Sequence, residues 1–285
     1  MKRFFVYTLI LLSSFSAFAD RQFTRDFLIE VEKGNVPGHS IIHKFGKAPD
    51  FDTTDGFVTV WDGAEDGTAW ESMVKSYSTT ADIDSIISSS AADTVQVMEV
   101  QGVDTMTNLL IQSVTLNGQT RVAFPTNYLR VFRMKNESNL SNGGPSNLVG
   151  HVFAYVTNAP TASGVPTDTS LIRAIVDPDA SQTLMAAYTI PKDCTGYMLS
   201  FYLGTAGAQR ASLHVAHLKA RKPGGVWQFK HASSIVTDGS SRILHPYNGA
   251  LKLTEGTDVQ IEMNTDVNIA AVSAGYDILL IQDGY

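Results

Sequence analysis

The stretch DVQIEMNT, residues 258–265, decides the fold. Successive side chains of an extended strand point to opposite faces, so Val259, Ile261 and Met263 share one side and Gln260, Glu262 and Asn264 the other. That alternation is what an antiparallel sheet with one packed and one wet face requires. The same strand character recurs from Gln182 onward, in TLMAAYTIP (183–191), GYMLSFYLG (196–204), ASLHVAHLKAR (211–221), VWQFKHASSIV (226–236) and NIAAVSAGYDILLI (268–281). Between these runs lie turn residues: Thr205-Ala206-Gly207, Pro223-Gly224-Gly225, Asp238-Gly239 and Glu255-Gly256.

The N-terminal half reads the same way. DGFVTVWDG (55–63) is a short strand with Asp-Gly at both ends, and DIDSIISSSAADTVQVMEVQGVD (82–104) holds two more. In NLLIQSVTLNGQTRVAF (108–124), two β-favouring runs flank Asn117-Gly118, which predicts a hairpin closed by a type I′ turn. YLRVFRM (128–134) and LVGHVFAYV (148–156) are further strands, separated by the polar loop KNESNLSNGGPSN (135–147). RQFTRDFLIEVEKGNVPG (21–38) reads as an arm or short strand ending in turns, and GTAWESMVKSY (67–77) has room for one helical turn. Outside residues 1–19 no segment carries an apolar 3.6-residue period over three turns, and the count of roughly a dozen strands implies two packed sheets or two small sandwiches.

The predicted fold is therefore all-β: an antiparallel, jelly-roll-like β-sandwich in two packed β units, preceded by a short apolar segment. The expected organisation is 1–19 as a signal-like segment or anchoring arm and 20–38 as a linker. Residues 39–181 then form a first β unit and 182–285 a second, continuous with it or separate. In MKRFFVYTLILLSSFSAFAD, Lys2 and Arg3 precede a short apolar run, and Ala17-Phe18-Ala19 offers a cleavage site before Asp20. That run is too short for a membrane span of about 20 residues. Either the segment is removed and the protein is secreted or periplasmic, or it is retained as an apolar arm buried against a partner.

A net charge of −7 argues against nucleic acid as a partner. The nearest basic patch, Lys219, Arg221 and Lys222 in HLKARKPGG, reads as a strand end entering a turn. Cys194 is the single cysteine, so neither an intrachain disulfide nor a cysteine-based zinc site can form, and it reads as a structural thiol.

The histidine pairs do not converge by local geometry. His39 and His43 would need a helix to pair as ligands, and His214 and His217, three apart on a strand, point to opposite faces. The carboxylates gather at turns (Asp50, Asp52 and Asp55; Asp62, Glu65 and Asp66; Asp177 and Asp179), where such side chains commonly bond their own backbone. DGAEDG lacks the ligand ladder of an EF-hand, and no nucleophile elbow, phosphate loop or dinucleotide fingerprint is present. The reading is a non-enzyme without a cofactor. Trp61, Trp70 and Trp227 are either core anchors or a sugar-binding surface.

Several short blocks occur in a telling order: HKFG (43–46), WDG (61–63), SSSAADT (88–94), VQGVD (100–104), VTLNGQT (114–120), YLRVFRM, NLVGHVFA (147–154) and AAYTIPKDCTGYMLSF (186–201). This succession resembles virion structural proteins of marine tailed bacteriophages, over about His43 to Phe201. The resemblance implies a β-rich, non-enzymatic component of the particle, capsid-associated or in the tail, that docks on other virion proteins and on copies of itself. It assigns no catalytic residue. Under it, Phe45 and Trp61 pack where the arm meets the β body, and Trp227 joins them as a structural or assembly candidate. The competing reading is an exported carbohydrate-binding or adhesion β-protein that takes a cell-surface glycan.

Overall fold

The computed structural model describes residues 27–49, 52–64, 74–139, 146–157, 161–206, 211–238, 241–268 and 271–285. The signal-like segment, Trp70 and most of GTAWESMVKSY lie outside the described residues. The linker is not a strand: Phe27–Glu32 form a short helix, α1. Its end is set by Gly34, which takes φ +74° and whose N–H bonds to the Val31 carbonyl at 2.9 Å, a position where glycine costs least.

Eighteen strands are described. β1 (His39–Ala48), β13 (Cys194–Ala206), β16 (Ser241–Leu253) and β18 (Ala271–Gln282) form one antiparallel sheet, in the order β1-β18-β13-β16. Facing strands β2 (Val58–Thr59), β12 (Ala187–Thr189), β14 (Ala211–Arg221), β15 (Gln228–Asp238) and β17 (Asp258–Thr265) form the second, in the order β12-β17-β14-β15 with β2 also on β17.

β2 and β12 occupy one strand position between them. Val58 and Thr59 lie opposite Met263 and Glu262, and Ala187, Tyr188 and Thr189 lie opposite Gln260, Val259 and Asp258. At the break, Val60 N–H donates to the Ile261 carbonyl at 3.0 Å, Ile261 N–H to the Ala186 carbonyl at 3.1 Å, and Ala186 N–H to the Val60 carbonyl at 2.9 Å. The ladder thus passes from Val60 to Ala186 without a missing rung, and residues 61–185 leave and return at that seam. Counting β2 plus β12 as one, the eight strands in chain order run 1-8-3-6 in one sheet and 2-7-4-5 in the other. This is jelly-roll connectivity, in which two Greek keys close a double sheet.

The excursion 61–185 forms its own sandwich. One sheet is β11 (Ile172–Val176), β8 (Val152–Val156), β3 (Ile83–Ser88) and β6 (Val122–Tyr128); the other is β5 (Leu109–Thr115), β4 (Val97–Val103) and β7 (Arg130–Asn136). β9 (Thr161–Ala162) and β10 (Val165–Pro166) make a small separate ribbon. The expected division at 181/182 is therefore crossed. β1 and β2 belong to the sheets of the C-terminal strands, because their hydrogen-bond partners are β18 and β17. One continuous apolar core runs through both units.

The predicted hairpin at Asn117-Gly118 is a corner between sheets. β5 pairs with β4 and β6 with β3, so the flanking runs part company after the turn. Only Gly118 of the two turn residues takes a positive φ, +56°, which excludes type I′. The Gln112 side chain ties β5 to β6 in place of a ladder, donating to the Thr126 carbonyl (2.8 Å) and accepting from Thr126 N–H (2.9 Å). The block SSSAADT is a hydrogen-bonded corner built on the fully buried Asp93, which accepts from Ser88 Oγ (2.6 Å), Val149 N–H (2.9 Å) and Gly150 N–H (3.0 Å).

Candidate functional site at the junction of the two units

Where the inserted sandwich meets the jelly roll, the alternation of β17 has an outcome that its sequence does not announce. Its apolar face enters the core as expected, but the polar face is covered too: Gln260 is 5% and Glu262 9% exposed. Tyr77, from the inserted segment, donates its hydroxyl to Gln260 Oε1 at 2.8 Å. Glu262 accepts from Lys219 Nζ at 2.8 Å and lies 3.3 Å from His217 Nδ1, both on neighbouring β14. A polar residue is tolerated in such a place when its partners are supplied locally.

Asp258 is the centre of this junction. It is almost fully buried and accepts from Arg130 Nε (2.9 Å) and Nη2 (3.0 Å), Arg221 Nε (3.0 Å) and Thr189 Oγ1 (2.8 Å). Arg130 comes from the insertion and the other three residues from the jelly roll, so one carboxylate joins both units. Tyr77 packs against both guanidinium groups, at 5.2 Å from Arg130 and 4.8 Å from Arg221, and burial holds its hydroxyl well above the usual phenol range. Arg221 also lies 4.5 Å over the Trp227 ring, which meets Tyr77 edge-on at 5.3 Å. A cavity of about 280 Å³ opens beside this stack, lined by Arg130, Thr189, Arg221 and Asp258 among others.

A second link runs through Lys44. The strand β1 turns Lys44, Gly46 and Ala48 inward and leaves Phe45 39% exposed. Phe45 therefore lies on the outer face of β1 and not in the core where it was expected to pack. The strand passes directly over the seam, where a Cβ on Gly46 would stand 2.1 Å from the Val60 carbonyl oxygen and 2.6 Å from the Ala186 nitrogen, so only a glycine fits. Lys44 Nζ reaches across to the Phe132 carbonyl. Phe132 is the extra residue of a β-bulge in β7, facing neither Gln101 nor Gly102 of β4, and Lys44 caps a carbonyl displaced from the ladder.

Burial, with a smaller contribution from Arg133, lowers the Lys44 pKa to about 7. Because the folded value lies below the unfolded one, the penalty is complete below about pH 7 and fades as pH rises toward the unfolded value of about 10.4. Stability is expected to rise over that window. Lys44→Met should remove the slope and stabilise the protein at pH 7 by about 1–3 kcal/mol, the relief of burying an amine exceeding the loss of the bulge hydrogen bond. Chemical denaturation of both proteins at pH 7 and pH 9.5 measures it; an unstable Lys44→Met at pH 7 would contradict the assignment.

Trp61 is fully buried at the start of the excursion, with Lys75 Nζ 5.1 Å from the centre of its ring. Asp62 next to it accepts the Leu184 N–H on both oxygens, at 2.9 and 2.8 Å, fastening the returning chain beside the departing one. Trp227 is half-buried in the cation–aromatic stack. The histidines separate as expected: His214 is buried, bonded to Ser212 Oγ (2.9 Å), while His217 stacks on Phe57 at 4.3 Å on the other face. Turn carboxylates bond local backbone, Asp55 to Asp52 N–H (2.7 Å) and Asp177 to Asp179 N–H (2.8 Å). Burial raises the Cys194 thiol pKa, leaving little reactive thiolate.

Sequence reasoning missed Asp258, Arg130, Tyr77 and Lys44. The only signal for Asp258 was parity, which sets it on one face of β17 with Gln260 and Glu262. Among the described residues, no three His, Cys, Asp or Glu side chains converge to hold a metal ion, and no helix is long and apolar enough to cross a membrane.

No protein-family model matches the chain, and no curated protein matches it. Among solved structures, it is similar to the structure of the infectious bursal disease virus Gx strain, at 10% identity over 86% of this chain and 73% of that one, with a TM-score of 0.26. The crystal structure of the infectious bursal disease virus VP2 subviral particle is similar at 11% identity over 87% and 73%, with a TM-score of 0.24. Likeness at that level has no bearing on function, and the jelly-roll assignment rests on the strand pairings themselves.

Proposed function

We propose that this chain is a non-enzymatic structural subunit of a virus particle, that of a tailed phage, capsid-associated or in the tail, and that it assembles with copies of itself and other virion proteins. The observation that carries the reading is the jelly roll interrupted within one strand by a second sandwich. Jelly rolls serve repeatedly as viral capsid domains, and also as lectins, so connectivity alone favours a class of roles. The junction favours the structural one. Its tryptophans and buried charges are spent on holding the two units together: Trp61 is in the core, Trp227 is engaged by Arg221 and Tyr77, and Asp258 is saturated by three partners.

Two long strands offer docking edges. Among the described residues, β15 and β16 each have a sheet neighbour on one side only, and Phe229, Val236 and Leu244 on them are exposed. Lys230 and Pro246 on the same strands are residues that blunt edge pairing with wrong partners. Symmetric self-association is the common outcome for such surfaces. Sedimentation velocity and electron microscopy of the full recombinant chain test this: ordered oligomers that grow with concentration are expected, and a monomer at every concentration would count against self-assembly.

A further inference from the structure

Beside the junction, the turn between β14 and β15 and the end of β16 enclose a cleft of about 590 Å³, within the roughly 300–1,000 Å³ typical of ligand sites. Four cations line it: Arg221, Lys222, Lys230 and Lys252. No carboxylate is among the residues described as lining it, in a chain whose net charge is −7. Glu255, on the adjacent turn, accepts the Asp193 N–H at 3.0 Å. Lys222 and Lys252 make no ion pair among the described residues, and Lys230 donates only to Gln228 Oε1, at 2.9 Å. Arg221 is held by Asp258 and stacked between Tyr77 and Trp227, so its orientation is fixed before any ligand arrives.

We propose that this cleft binds an acidic saccharide, a sugar chain bearing carboxylate or sulfate groups. The lining matches the three chemical parts of such a ligand. The cations suit its anionic groups, with Arg221 held in a fixed orientation by Asp258. Gln228, Thr254 and Thr257 offer amide and hydroxyl partners for sugar hydroxyls. Val226, 78% exposed, and Ala220 offer C–H surface to the sugar ring. A lone phosphate would leave most of the cleft empty. The negative potential of the rest of the molecule repels an anion elsewhere and directs it to this cleft. The proposal stands independently of the particle role.

Titration calorimetry of the full chain in low salt tests it, with an oligogalacturonate hexasaccharide as the carboxylate probe and a heparin hexasaccharide as the sulfate probe. Neutral maltohexaose and a single-stranded oligonucleotide of matched charge serve as comparisons. Binding of either acidic sugar supports the site and identifies the anionic group. Replacing Lys222, Lys230 and Lys252 together with Gln should weaken it by roughly tenfold or more, with melting unchanged because these side chains reach solvent. Adding Gln228→Ala to the intact cleft should weaken sugar binding further than it weakens any residual oligonucleotide binding. No binding of either acidic sugar, binding unaffected by the lysine replacements, or equal binding of the oligonucleotide would overturn the proposal.

Discussion

Trp61→Ala is expected to destabilise the protein by about 3–5 kcal/mol and to lower its melting temperature by roughly 6–20 °C. The residue is fully buried where the inserted sandwich departs from the jelly roll, and its removal opens a large cavity there. Gly63 lies so close that a Cβ there would stand 2.3 Å from the ring, which shows how tightly the indole is enclosed. The ring also packs against the buried Lys75 Nζ, 5.1 Å from its centroid, an amine whose pKa burial holds well below the usual lysine range. Trp61→Phe should recover much of the loss. Thermal melting reads the effect directly, and a Trp61→Ala protein that melts within a few degrees of the parent would show that the indole does not hold the seam together.

The second large effect is expected at Asp258. Asp258→Ala strands two guanidinium groups, Arg130 and Arg221, in a site where both are mostly shielded from water. Breaking a buried pair by removing one partner costs about 3–5 kcal/mol, chiefly through the charge left behind. The same replacement in a background with Arg130→Met and Arg221→Met should cost much less, because no orphaned cation remains. Denaturant titration of the four proteins in that cycle measures the coupling. Additive losses would mean that the carboxylate does not bind the two units together.

Periodicity made the fold class legible and left its coverage and long-range pairing obscure. In DVQIEMNT the alternation correctly groups Val259, Ile261 and Met263, but it cannot say that Tyr77, far away in sequence, will cover Gln260. Asn117-Gly118 does mark a turn, yet a turn signal specifies only local geometry, and the partners of β5 and β6 are chosen by β4 and β3. The unit boundary failed for the same reason: nothing local tells Val60 that its ladder resumes at Ala186.

In HSIIHKFGKA, hydrophobicity would place Phe45 inward. The crossing over the seam reverses this, because that face must be small at Gly46 and Ala48, and Lys44 is the long side chain that can thread past to a displaced carbonyl. For Asp258, its parity with Gln260 and Glu262 on β17 was the one local sign. What was missing was the arginine that reaches it from β7.

The most direct test of the particle role is quantitative mass spectrometry of density-purified particles from a culture that produces this chain, reading both its copy number and its N-terminus. A virion component should appear as an abundant chain that co-purifies with the particle in fixed ratio to its main proteins. A chain absent from particles and recovered outside the cells, beginning at Asp20, would contradict it.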